Sequence, residues 1–213
     1  MKRLMAGLVG FLVLVGVASS VAHYMNEPYN PGFLEHPVVT SLHVVLGGVF
    51  LSLGSIQFVP RVRNRWPTYH RWAGRVLVGV ALTVGAAALF LALFVPFSGW
   101  PGRIGNGFFA SYFLFGMTRA VIHIRRRNVA LHREWMIRAF AIALGIATMR
   151  LIFVPALIIA DVAEASDPIV KTLSVASFMT AFLLHAAVAE LWIRQTRRSR
   201  AALPEPLSTG ADR

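Results

Sequence analysis

The chain has 213 residues, a formal net charge of +12, no cysteine, 56% apolar residues and only 14% charged ones. Without cysteine, disulfides, thiolate metal sites, iron–sulfur clusters and cysteine nucleophiles are excluded. A charged fraction well below the rough quarter of a soluble domain argues against a water-facing surface. The basic residues fall in short bursts between apolar blocks, which is the pattern of loops facing an anionic leaflet and not of a nucleic-acid interface.

Six apolar segments are near or above the roughly 20 helical residues that cross a hydrocarbon core. In chain order they run from Leu4 to Ala22, Val38 to Val59, Trp72 to Phe97, Gly107 to Ile124, Trp135 to Ala160 and Ile169 to Ile193. They predict an all-α polytopic membrane protein, a single bundle of six transmembrane helices over residues 1–198. The first segment, behind Lys2 and Arg3 and ending in Ser20-Val21-Ala22, also has the make-up of a cleaved signal peptide, which would leave five helices. Between the first two segments, Tyr24 to Pro37 reads as an interfacial loop rich in turn formers and aromatics. The last stretch, 199–213 (SRAALPEPLSTGADR), is polar and predicts a disordered tail.

Orientation follows from lysine and arginine counts. The amino terminus, the 61–75 and 125–133 connections and the 194–200 stretch carry fifteen, against Arg103 and Lys171 alone in the opposite loops. The bias predicts both termini in the cytoplasm of a bacterial cell and the protein in its inner membrane.

Two basic connections echo each other. PRVRNRWPTYHRWAGR joins the second and third segments and IRRRNVALHREWMIR the fourth and fifth, each reaching His-Arg and then Trp and Arg. The two hairpins therefore read as parallel repeats. By depth, His23, His36 and His43 fall near the outer face and His70, His123 and His132 near the inner one. A bis-histidine haem needs imidazoles at equal depth and a small residue beside each. Gly47 and Gly74 follow His43 and His70 by four residues, on the same helix face. This predicts a b-type haem on His70 and His132 as iron ligands and a second one using His43. Against it, glycines in membrane helices also mark helix–helix contacts.

Three arginines lie inside segments. Arg119 and Arg138 can snorkel to the inner face. Arg150 cannot, and no carboxylate is at its depth, so it should meet an anionic or carbonyl-bearing ligand or a polar neighbour such as His185. Arg138 and Arg150 are thus candidates to steady haem propionates or a quinone. Gln57, His185 and Glu190 are candidates to line a ligand cavity, while Glu190 with Arg194 four residues on also reads as a local ion pair. No phosphate loop, hydrolytic triad or metalloprotease helix is present, which disfavours a hydrolase.

The motifs HRWAGRVLV, HREWMIRAFAIALGIATMRLI and AVAELWI resemble a bacterial group of predicted membrane proteins, the domain of unknown function 2306, from His43 to near Glu190. The resemblance singles out His43, Gln57, His70, Arg71, Gly74, Arg75, His132, Arg133, Trp135, Met136, Arg138, Arg150 and Glu190. It implies no activity. Where that family has Asn, this chain has His185, which reduces His185 from haem ligand to polar partner. The layout is also similar to four-helix diheme cytochromes of the ascorbate-reducible type, at the level of fold only. The leading expectation is a haem b electron-transfer protein or membrane oxidoreductase. The alternatives are a non-redox carrier of a small molecule, lipid or quinone, and an accessory subunit of a larger membrane complex.

Overall fold

The computed structural model describes residues 2–25, 32–95 and 98–201. Among them the chain forms eight helices and no strand: α1 (Lys2–Met25), α2 (Gly32–Glu35), α3 (Pro37–Gln57), α4 (Pro60–Arg65), α5 (Pro67–Phe94), α6 (Gly99–Arg125), α7 (Val129–Val162) and α8 (Asp167–Ala201). All but α2 and α4 are long and apolar enough to cross a membrane. The protein is an integral membrane protein with six spanning helices.

Local chemistry sets the helix ends. Pro37, Pro60 and Pro67 open α3, α4 and α5, where a missing N–H leaves no acceptor unused and the fixed φ already suits the turn. Helices α6 and α7 each close on a residue in the left-handed region, Arg127 at φ 59° and Glu164 at φ 50°. At the first, Asn128 N–H bonds the carbonyl of His123 at 2.9 Å and Arg127 N–H that of Ile124 at 3.0 Å. At the second, Ala165 and Glu164 repeat the pattern onto Ala160 and Asp161. This double bond satisfies carbonyls that a helix end would otherwise leave without donors. The Asn128 side chain then caps α7 by accepting from Leu131 N–H at 3.0 Å.

The structure refines the reading of the connections. The two basic turns differ: α3 reaches α5 through helix α4, whereas α6 reaches α7 through Arg126, Arg127 and Asn128 alone. The echo persists one step later. His70 and His132 are each the fourth residue of their helix, with N–H bonded to the capping carbonyl of Trp66 and Asn128 at 3.0 Å. Helix α8 continues to Ala201, so the expected tail begins later than 199. The rest of that tail, 202–213, and residues 26–31 of the expected interfacial loop lie outside the described residues.

Helices α1, α3, α5, α6 and α7 pack side by side in a ring that closes where α7 returns to α1, and α8 lies against α6 and α7. Lipid tails are as apolar as Leu, so close approach through small residues, not water exclusion, drives such packing. A Cβ on Gly85 would come within 2.6 Å of Leu114, and one on Gly145 within 3.1 Å of Phe182. These two glycines set how closely α5 meets α6 and α7 meets α8. The core is aromatic, with Phe50, Phe109, Phe113, Phe140 and Phe182 around the fully buried Met117.

Candidate functional site

The ring encloses a cavity of about 330 Å³. It is bounded by the C-terminal half of α1, the N-terminal half of α3, the end of α5, the start of α6, the middle of α7 and the N-terminal half of α8. That places it in the half of the bundle opposite the arginine-rich turns. Its walls are mainly apolar and include Phe50, Phe109, Phe113, Phe178 and Phe182. Into this surface project Arg150 from α7, His43 and Thr40 from α3, Ser19, Ser20 and His23 from α1, Asn106 from α6 and Ser174 from α8. No aspartate or glutamate among the described residues lines it.

The polar groups have defined roles. The hydroxyls of Ser19, Ser20 and Thr40 donate to the carbonyls of Val15, Gly16 and Phe33 at 2.8, 3.1 and 3.1 Å, which leaves their oxygen lone pairs as acceptors. His43 Nδ1 donates to the Val84 carbonyl at 3.3 Å. A carbonyl can only accept, so the neutral ring keeps Nε2 as its acceptor nitrogen. The Nε of Arg150 is buried without a partner, and no carboxylate among the described residues pairs with its guanidinium.

The other arginine-bearing half is different. Arg138 Nε and Nη2 donate to Glu190 Oε2 at 3.0 and 2.8 Å across α7 and α8. Glu134 lies 3.9 Å from Arg138 and pairs with Arg197, and Arg194 lies 3.6 Å from Glu190. The Arg138 guanidinium also sits over the Trp135 ring at 4.8 Å. Here acids and bases neutralise one another, and Arg138 is occupied by protein.

The eight candidate residues fall in different parts of the bundle. His43 and Arg150 share the cavity, but Gln57, His185 and Glu190 do not line it. His185, one of the neighbours considered for Arg150, meets Thr148 Oγ1 through its Nε2 at 2.8 Å. Both amide atoms of Gln57 are buried without a partner. His132 Nδ1 donates to the Ala120 carbonyl at 2.9 Å, while His70 Nδ1 is buried and unpartnered. Among the described residues no three His or carboxylate side chains gather as a metal site needs. Sequence reasoning missed Asn106, Ser19, Ser20, Thr40 and the contribution of His23. The signal was there in depth: each lies at the same end of its segment as His43.

A family model described as predicted membrane protein (DUF2306) matches residues 40–193, well over half of the chain. The chain belongs to this family. No curated protein and no solved structure matches it. Within the DUF2306 match fall Arg150, His43, Asn106 and the phenylalanine walls of the cavity. Helix α1, which supplies Ser19, Ser20 and His23, precedes it.

Proposed function

We propose that this protein binds a small amphipathic molecule within the membrane, with Arg150 holding the molecule's polar head, as a carrier or receptor for it. The observation that carries the reading is a guanidinium facing an apolar cavity with no carboxylate among the described residues of its walls. A charged side chain inside a span costs about 2.5–3.5 kcal/mol even on the lenient insertion scale and is retained for a partner or a function. A ligand bearing an anion or carbonyl oxygen offsets that cost. The volume lies at the lower end of the ~300–1,000 Å³ of small-molecule sites. The test is native mass spectrometry of protein extracted in uncharged detergent. Wild type should carry a small molecule that Arg150→Leu lacks; equal retention and equal thermal stability in both would refute the reading. The positive-inside bias supports a bacterial inner-membrane location with the arginine-rich end in the cytoplasm, and a C-terminal reporter active only in the cytoplasm checks it.

A specific observation favours a second reading, a haem b at the arginine-rich end. His132 is oriented by a backbone carbonyl through Nδ1, the outer-shell arrangement that aims Nε2 at a metal. The Nδ1 of His70 lacks a partner, and a Cβ on Gly74 would meet nothing within 4 Å. The residues there fit: His70 and His132 would hold the iron, and the group would supply one-electron transfer. The cavity end does not fit. Ser20 Oγ lies 3.2 Å from where a Cβ on Gly48 would be, so that gap serves helix packing, and about 330 Å³ is too little for a macrocycle. His43 is therefore assigned to the cavity alone, and Arg138, held by Glu190, is not available to a propionate. A reduced-minus-oxidised visible spectrum decides: b-type absorbance lost in His132→Ala supports this reading, and its absence under haem-sufficient expression removes it.

A further inference from the structure

We infer that the molecule held at Arg150 is a single-tailed carboxylate, a monoanion with a straight apolar chain of about eight carbons; this rests on the cavity reading above. Three observations select the class. The first is charge. With no acidic residue among the described residues of the wall, a neutral alcohol, amide or quinone head would leave the Arg150 charge uncompensated by them, whereas a carboxylate neutralises it and matches the guanidinium fork with two parallel bonds.

The second is the arrangement of hydrogens. Ser19, Ser20 and Thr40 have committed theirs to backbone carbonyls, and His43 Nδ1 is committed to Val84. What these groups turn to a ligand is lone pairs. A carboxylate places both oxygens on Arg150 and asks little else of the wall. A phosphate head, with more charge and a third oxygen to satisfy, would face those lone pairs and have to draw its further donors from Asn106 and Ser174.

The third is size. A cavity of about 330 Å³ is at the lower end of the ~300–1,000 Å³ of small-molecule sites, which suits a single medium-length chain, of about eight carbons, lying along Phe109, Phe113, Phe178 and Phe182.

The experiment is equilibrium dialysis of radiolabelled octanoate against the full chain in lipid nanodiscs, with protein-free nanodiscs subtracted. Expected is saturable binding, displaced by decanoate, and at least 10-fold weaker competition from octanamide, octyl phosphate and hexadecanoate. Arg150→Gln should weaken octanoate binding at least 10-fold and Arg150→Lys by less. Ala88→Trp leaves the charge in place and fills the cavity, so it should abolish binding even if the Arg150 variants fail to fold. Octanamide binding as tightly as octanoate and indifferently to Arg150→Gln would overturn the carboxylate assignment while leaving the cavity reading intact. Stronger competition from octyl phosphate than from octanoate would overturn it as well. If no probe binds saturably, the cavity reading falls with it.

Discussion

Arg138 and Arg150 stand twelve residues apart on the same helix, and the protein treats them in opposite ways. At the arginine-rich end Arg138 is locked to Glu190, backed by Glu134 and stacked on Trp135. Toward the other end Arg150 faces an apolar cavity with its Nε unpartnered. The difference teaches how to read a charge in a membrane helix. An arginine with its own carboxylate is part of the scaffold; one that no described carboxylate answers is where a bound partner is to be sought.

The comparison can be broken by experiment, and the largest expected effect lies at the cavity. Arg150→Leu should abolish ligand retention yet raise the thermal midpoint of the ligand-free protein, because it removes a desolvated charge with no partner. A fall in that midpoint would mean that Arg150 is structural after all. Arg138→Leu should act in the reverse sense, lowering stability by roughly 1–3 kcal/mol, the range for hydrogen bonds to charged groups, with ligand retention unchanged. Combining it with Glu190→Leu should recover much of the loss, since the penalty comes from stranding one partner. Chemical unfolding in mixed micelles measures both.

Smaller effects sharpen the contrast. Thr148→Val removes the partner of His185 and should lower stability by about 1 kcal/mol without touching retention; altered retention would place His185 in the ligand's path. The smallest change is expected for Arg197→Ala, whose side chain is 56% exposed in its pair with Glu134. Its effect should be slight at low salt and vanish at high salt.

Much of this was readable beforehand, but unevenly. The six spans follow from hydropathy, a sum over neighbours in sequence, and so did the anomaly of Arg150, which only requires counting residues from a span's ends. That Arg138 is held by Glu190 was not legible, because the partner is 52 residues away and nothing local says which face of α8 turns toward α7. That His185 meets Thr148 was hidden for the same reason: depth can be counted along the chain, rotation cannot. Gly47, four residues after His43, keeps open space beside it, with Val84 4.0 Å from a Cβ there, whereas Ser20 of α1 stands against the neighbouring Gly48. Conversely, His70 and His132 were matched from an arginine-rich echo, and each does open its helix at the same position.

What the sequence determined alone is the number of spanning helices, their order and the side on which positive charge collects. Those properties are local, because each segment partitions into lipid on its own composition. What only the tertiary structure decided is which charges are answered. The ring closed by α7 against α1 leaves a cavity of about 330 Å³ between helices distant in sequence, and the rotation of α8 gives Glu190 to Arg138 and none to Arg150. Counter-ion pairing depends on depth and rotation together, and a linear pattern carries only the first.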